Sequence, residues 1–106
     1  MAVYDLYGTS LTDINSLKAS LEVALEIEFE SHESDYQGPY FQWGQTAGEH
    51  LVLKRNEDPL DGEPAEVRFP DSPILIYVND TLRSEYFFEL IKGVQHFVLL
   101  RHEDLE

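Results

Sequence analysis

Histidine and acidic side chains with metal-binding chemistry lie close together in one part of the sequence. His32, Glu33 and Asp35 are near neighbours, and His50 could join them from an adjacent strand. A protein metal site needs several ligands that converge on one point. Because successive side chains of a strand point to opposite faces, His32 would point away from Glu33 and Asp35. We therefore predict surface or structural histidines here, with no metal and no other cofactor.

Patterns for catalysis are equally sparse. The chain has no glycine-rich phosphate loop, and no serine lies in the context of a nucleophile elbow. With 21 acidic residues, some pair of carboxylates will always have the spacing that glycosidases use, so such a pair carries little information. We predict no catalytic residue and no enzyme. The alternative is a small ligand-binding or enzymatic α+β domain, whose mark would be a closed pocket lined by His32, Glu49 or His50.

The charge of the chain is its most informative bulk property. Its 106 residues include 21 acids and 7 bases, which gives a formal net charge of −14. Such a field repels nucleic acid and anionic membranes and attracts cationic surfaces. The absence of cysteine excludes disulfides and thiolate metal sites. No signal-peptide pattern and no run long enough for a membrane span are evident, so we expect a cytoplasmic protein.

Hydrophobic periodicity divides the chain into short strands and two amphipathic helices. The pattern predicts strands at 2–7, 26–30, 39–45, 50–55, 73–79 and 96–101, with a further short strand expected at 66–69 inside a long loop, 56–73. The first helix, 12–25, should bury Ile14, Leu17, Leu21, Ala24 and Leu25, and the second, capped by Thr81 and ended by Gly93, should bury Leu82, Tyr86, Phe87, Leu90 and Ile91. The last residues, 102–106, look like a charged tail.

This order of elements predicts one α+β domain over residues 1–106. We expect a two-layer sandwich with a mostly antiparallel sheet of five or six strands and two helices. The β-α-β patterns at both ends favour a ferredoxin-like variant, in which a hairpin is inserted into a split β-α-β core. If both helices cover one face of the sheet, outward polar side chains or a partner must cover the other face.

Two acidic segments, 26–35 and 57–71, accompany a cluster of aromatic residues. The cluster lies around the turn at Gly38-Pro39, where burial is difficult, and consists of Tyr36, Tyr40, Phe41 and Trp43. These rings could serve an interface or pack locally within the hairpin. Charged rims speed the encounter of two proteins, and buried aromatic rings slow their dissociation. Acidic segments beside aromatic residues therefore favour a surface that binds a cationic protein.

The stretches HESDYQGPYFQWG, KRNEDPLDGEPAEVRF and PILIYVNDTLRSE give the chain a resemblance to a known class of proteins. It resembles the small, acidic, cysteine-free immunity proteins of bacterial contact-dependent growth inhibition and polymorphic toxin systems. The resemblance is one of style along the whole chain, so no functional residue is carried over by position. It implies an inhibitor of a cognate toxin domain, commonly a nuclease that acts on tRNA or DNA.

A nuclease active site is basic because its substrate is a polyanion. The carboxylates of residues 57–66 and 28–35 would therefore stand in for phosphates in the toxin cleft. Beside the cleft, an apolar pocket of the toxin would be filled by Tyr36, Tyr40 and Trp43. The residues predicted to contact the partner are Glu33, Asp35, Tyr36, Tyr40, Trp43, Glu57, Asp58, Asp61, Glu63 and Glu66.

Two other binding functions stay open. A nucleic-acid mimic that inhibits a DNA-binding protein would need carboxylates spaced along an elongated surface, whereas the acids here are clumped. A homo-oligomer could use the open face of the sheet. We expect a monomer or weak dimer when free, with no direct nucleic-acid partner and no membrane partner.

Overall fold

The computed structural model describes residues 2–36, 38–94 and 96–105, which form a six-stranded sheet and two helices. The strands are β1 (Ala2–Thr9), β2 (Glu30–Ser34), β3 (Gly38–Gly44), β4 (His50–Arg55), β5 (Ile74–Thr81) and β6 (Val98–Leu105), and the helices are α1 (Ile14–Leu25) and α2 (Ser84–Ile91). The order across the sheet is β2-β3-β4-β5-β1-β6, and every neighbouring pair is antiparallel.

The topology contains the split β-α-β unit that the sequence predicts. Strand β1 lies between β5 and β6 and runs antiparallel to both, so β5 and β6 are parallel to each other. Helix α2 makes the crossover that joins them. The β3–β4 hairpin lies between β2 and β5, as an insertion into a ferredoxin-like core would. The predicted α+β two-layer sandwich with a mostly antiparallel sheet is confirmed.

The helices pack on one face of the sheet, which we call the helix face. Helix α1 buries four members of its predicted stripe, and α2 buries Phe87 and Ile91. The sheet side chains in the same core cluster are Tyr7, Leu51, Leu53, Ile74, Ile76 and Val78. Two predicted stripe residues differ: Leu82 is 81% exposed and Tyr86 is 45% exposed. Leu82 precedes the first turn of α2, so it does not share the buried side of the helix.

The second strand begins later than the alternating pattern predicts. Helix α1 ends at Glu26, which adopts a left-handed conformation with φ 55°. The connection then folds back on the helix, because the backbone N–H of Phe29 donates to Glu22 Oε2 at 2.9 Å. Phe29 is buried in the core from this connection. The strand predicted at 26–30 is therefore wrong in position, and β2 starts at Glu30.

The residues expected to form a charged tail extend β6 as far as Leu105. Asp5 of β1 is 2% exposed and lies opposite His102. Its Oδ1 is 2.5 Å from His102 Nδ1, and its Oδ2 accepts a hydrogen bond from Ser84 Oγ, also at 2.5 Å. One buried carboxylate thus joins β1 to β6 and to the start of α2. Of the predicted tail, Glu106 lies outside the described residues.

The other face of the sheet, the open face, is partly covered by the loop 56–73. No strand forms at 66–69, where the backbone makes a turn instead. Asn56 organises the loop: its side chain accepts a hydrogen bond from the N–H of Glu66 and donates one to the carbonyl of Phe69. The loop leaves β4 at Arg55 and returns to β5 at Ile74, which lie opposite each other, so its length is not needed to connect the two strands.

Candidate functional site

The two acidic segments meet at one end of the sheet. An ideal Cβ placed on Gly38 would lie 3.5 Å from Pro59 Cβ, so the β2–β3 turn packs beside the start of the loop 56–73. Gly38, Pro39, Arg55, Glu57 and Pro59 line one small cleft at this contact. We call this region the acidic end, and its acidic side chains are Glu33, Asp35, Glu57, Asp58, Asp61 and Glu63. All of them except Asp58 are largely exposed.

Hydrogen bonds within residues 58–63 hold the acidic end in a defined shape. Asp58 Oδ1 accepts a hydrogen bond from the N–H of Leu60 at 2.8 Å, and Asp61 Oδ1 accepts one from Glu63 at 2.9 Å. The N–H of Asp58 also donates to the Glu63 carbonyl at 2.7 Å. These bonds fix the backbone of residues 58–63 and the carboxylates of Asp58 and Asp61, so a partner would meet these two charges in defined positions.

Two large apolar side chains stand exposed among these carboxylates. Tyr36 is 88% exposed at the β2–β3 turn, and Leu60 is 83% exposed in the neighbouring loop. Tyr36 is one of the residues predicted from the sequence, whereas Leu60 was missed. The prolines and acids around Leu60 indicate a loop. Its proximity to the β2–β3 turn depends on the tertiary fold, which local sequence patterns do not predict. Large exposed side chains of this kind supply buried area when a protein interface forms.

The structure does not bring together the three rings that were predicted to fill one apolar pocket of the partner, Tyr36, Tyr40 and Trp43. Tyr40 and Trp43 are an odd number of residues apart on β3, so their side chains point to opposite faces. Trp43 packs against the core on the helix face. Tyr40 lies on the open face, where its ring stacks on His32 with the ring centroids 5.4 Å apart. Only Tyr36 remains with the acidic end.

Glu66, the last predicted contact residue, forms hydrogen bonds with two other side chains of this protein. Its Oε2 accepts a hydrogen bond from the Tyr77 hydroxyl at 2.6 Å, and its Oε1 accepts one from Arg101 Nη1 at 3.1 Å. Leu6 lies opposite both Tyr77 and Arg101 in the sheet, so Glu66 bridges them across Leu6, which is 1% exposed. Glu66 therefore fastens the loop 56–73 to the sheet.

The electrostatics of this bridge keep Glu66 ionised. Burial alone would raise the pKa of Glu66, but the hydrogen bonds from Tyr77 and Arg101 and the nearby positive charges outweigh burial and lower it. Burial, followed by the hydrogen bond to Glu66, raises the pKa of Tyr77 well above its usual value. The phenol therefore stays protonated and donates to the carboxylate.

A second candidate site is a cavity of about 310 Å³ on the open face. Its lining residues come from β3, β4, β5 and the β3–β4 turn: Tyr40, Gln42, Thr46, His50, Val52, Lys54, Tyr77 and Asn79. Alternate residues of three adjacent strands thus supply two aromatic rings, two amides, an imidazole and an ammonium group. The loop 56–73 lies beside this cavity, because its Glu66 accepts a hydrogen bond from Tyr77, one of the lining residues. We call it the sheet-face cavity.

The imidazole of the cavity is fixed by hydrogen bonds. His50 Nδ1 lies 2.8 Å from the carbonyl of Gly48, and His50 Nε2 lies 3.2 Å from Asn79 Nδ2. A carbonyl only accepts, so Nδ1 carries the proton and Nε2 accepts from the Asn79 amide. Of the three residues expected to line the pocket of a ligand-binding domain, His50 lines this cavity, whereas His32 and Glu49 do not. The cavity is open on one side and is not the closed pocket that this alternative called for.

Glu49 belongs to a separate ion pair. Arg83 Nη2 lies 2.7 Å from Glu49 Oε1, and the Thr81 hydroxyl donates to Glu49 Oε2 at 2.7 Å. The hydrogen bond from Arg83 is the main cause that lowers the pKa of Glu49, against the opposing effect of burial. This cluster joins the β3–β4 turn to the start of α2, so its role is structural.

Within the described ranges, no group of three or more histidine, aspartate or glutamate side chains has the arrangement of a metal site. Among the same residues, neither helix has the length and apolar character that crossing a membrane requires. Comparison with models of known protein families finds no match to this chain, and comparison with curated proteins finds none either.

Proposed function

We propose that this protein is an immunity-type inhibitor, which binds a cationic toxin domain through its acidic end and thereby neutralises it. The observation that carries the proposal is the meeting of two acidic segments, far apart in the sequence, around exposed Tyr36 and Leu60. A surface with fixed carboxylates and exposed apolar side chains suits a partner with a basic cleft and an apolar rim.

The charge of the partner follows from the charge of the surface. Among the predicted contacts, Glu33, Asp35, Glu57, Asp61 and Glu63 are exposed carboxylates. Removing them from water without opposite charges would be costly, so the partner must supply lysine or arginine side chains. A nuclease that acts on tRNA or DNA offers such a basic cleft, because it must bind phosphates. Carboxylates that occupy this cleft would exclude the nucleic acid.

The remaining parts of the proposal follow from this role. The inhibitor itself needs no catalytic residue and no cofactor. It acts in the cytoplasm, where the nucleic acids that such a toxin attacks are found, and it is a monomer or weak dimer before it binds. Other exposed acids, such as Glu89 and Asp104, lie elsewhere on the molecule, but those of the acidic end surround exposed Tyr36 and Leu60. This grouping of charge with apolar side chains favours toxin inhibition over mimicry of a nucleic-acid strand.

Affinity capture from the native cell at low salt, followed by mass spectrometry, tests the proposal. We expect one stoichiometric basic protein that is released at high salt, and its toxicity should be suppressed by this protein. A partner that is a chromosomal DNA-binding protein without toxicity would instead support the nucleic-acid mimic. Capture of no basic protein would contradict both.

Charge reversal then tests the surface itself. The double variant Asp61→Lys with Glu63→Lys should slow association with the captured partner about tenfold and weaken its salt dependence. The control is the double variant Asp104→Lys with Glu85→Lys, which makes the same change in net charge at two exposed acids near the opposite edge of the sheet. Equal effects at both ends would mean that the net charge acts without a localised surface.

A further inference from the structure

One side chain that lines the sheet-face cavity, Lys54, carries a positive charge, and no carboxylate among the described residues is in direct contact with it. Lys54 is 6% exposed although it carries an ammonium group. The other two lysines, Lys18 and Lys92, form ion pairs with Glu22 at 3.4 Å and Glu89 at 2.8 Å. Within the described part of the chain, no carboxylate forms such a pair with Lys54. Glu66 and Asp58 act on it only through longer-range charge interactions.

A buried ammonium without a paired carboxylate is costly to stability. Burial lowers the pKa of Lys54, against the opposing charges of Glu66 and Asp58. Lys54 lies opposite Tyr40 on one side and Leu75 on the other, so an apolar side chain could fill its position in the sheet. A lysine at this position is therefore not required by packing, and its amine lines a cavity that a ligand could enter.

We propose that the sheet-face cavity binds a small molecule with one carboxylate group attached to a planar apolar body. The carboxylate would pair with the Lys54 ammonium, and the apolar body would lie on Val52 between the rings of Tyr40 and Tyr77. This binding site lies on the open face, so it does not depend on the proposed inhibition of a toxin.

The charges around the cavity select the charge of the ligand. Lys54 supplies one positive charge, and Glu66 lies close enough to oppose a second negative charge on the ligand. A dianion such as phosphate is therefore disfavoured, whereas a monocarboxylate matches the single ammonium. The amides of Gln42 and Asn79 face the cavity as neutral groups, and each already takes part in a hydrogen bond, to Thr46 and His50 respectively. They border the ligand without adding charge.

Benzoate is a suitable probe because it has one carboxylate and one planar ring, and benzamide is its neutral counterpart. Titration of the ¹⁵N-labelled protein, followed by NMR, should give saturable shifts at Val52, Tyr77 and Asn79, with a Kd on the order of 1–10 mM. Benzamide and inorganic phosphate should give at least about tenfold weaker binding. Nuclear Overhauser effects should connect the benzoate ring protons with the rings of Tyr40 and Tyr77.

The variant Lys54→Met should bind benzoate at least about tenfold more weakly, because it removes the charged partner but keeps most of the side-chain volume. The control Lys92→Met makes the same change in net charge on the helix side of the molecule and should bind as the original protein does. The free energy of unfolding of Lys54→Met, measured in urea, should be at least as large as that of the original protein, because the variant removes a buried charge.

Three results would overturn the proposal. They are equal benzoate binding by Lys54→Met and the original protein, shifts confined to the helix face, and no saturable shift up to about 20 mM benzoate. The nuclear Overhauser effects need no variant, so they test the site even if Lys54→Met does not fold. Failure of toxin capture would leave these results unchanged, and the two proposals are therefore tested separately.

Discussion

Replacing Glu66 by glutamine should loosen the loop 56–73 from the sheet and lower the free energy of unfolding. The hydrogen bond from the Tyr77 hydroxyl, 2.6 Å long, ends on a carboxylate and is worth about 1.5–3 kcal/mol. Glutamine keeps one oxygen as an acceptor, so roughly 1 kcal/mol of this remains. The pair with Arg101 adds at most about 1 kcal/mol, because the arginine side chain is 35% exposed and water screens the interaction. We expect a total loss of about 0.5–3 kcal/mol.

Urea unfolding at neutral pH, followed by circular dichroism, measures this loss. Glu63→Gln is the matched control, since it makes the same chemical change at an exposed position of the same loop, and it should cost less than about 0.5 kcal/mol. A double-mutant cycle of Glu66→Gln with Tyr77→Phe should show a coupling of about 1 kcal/mol. If Glu66→Gln costs no more than Glu63→Gln, or if the coupling is zero, Glu66 does not fasten the loop.

Two further predictions concern the aromatic residues and the response to acid. Trp43→Ala should destabilise the fold by about 2–3 kcal/mol in urea unfolding, because Trp43 packs against the core. Tyr36→Ala should change stability by less than about 0.5 kcal/mol, because Tyr36 is 88% exposed, and should instead speed dissociation of the captured partner; the reverse pattern would contradict the assignment of the two rings. The hydrogen bond from Arg83 lowers the folded-state pKa of Glu49 below its usual value of 4.5. The contribution of ionised Glu49 to the free energy of unfolding should therefore be complete above about pH 4.5, and it should be lost as the pH falls through the folded-state pKa. Unfolding free energies of Glu49→Gln should depend less on pH in this range than those of the original protein, and equal slopes would refute the role of the ion pair.

The fold was predictable where local patterns and burial agree. The apolar run 73–79 has buried residues on both faces, which is typical of an inner strand, and β5 lies inside the sheet. The spacing of Ile14, Leu17 and Leu21 matches the buried side of α1. In both segments the hydrophobic period is set by the same burial that fixes the final structure.

The errors in the fold have a different physical origin. Ile27 and Phe29 alternate with acids as a strand would, but the left-handed turn at Glu26 directs them toward the helix layer. The residue at this position is not glycine, so the sequence does not predict a left-handed turn here. The charged segment after 101 becomes a strand because Asp5, almost a hundred residues earlier, pairs with His102. Pairing over such a separation leaves no local pattern.

The candidate surfaces were predictable only in part. The acidic segments were visible in the composition, but which acids remain exposed depends on the fold, as the contrast between Asp61 and the bridging Glu66 shows. The sheet-face cavity was not predicted, because it is built from alternate residues of three strands whose registers the sequence does not display. Its local sign in the sequence is Lys54, a charged residue that directly follows the buried apolar run 51–53 and is itself buried.

The position of β1 has a consequence for how the chain is made. The first strand is an inner strand, and its neighbours β5 and β6 begin at Ile74 and Val98. A ribosome adds about 5–20 residues per second, so β1 must wait roughly 5–20 s after its own synthesis for its second neighbour. Both edges of β1 present unpaired backbone groups until β5 is made, and one edge still does so until β6 is made. During translation the nascent protein should therefore bind chaperones that recognise extended segments, and it should complete its sheet only after β6 has been synthesised.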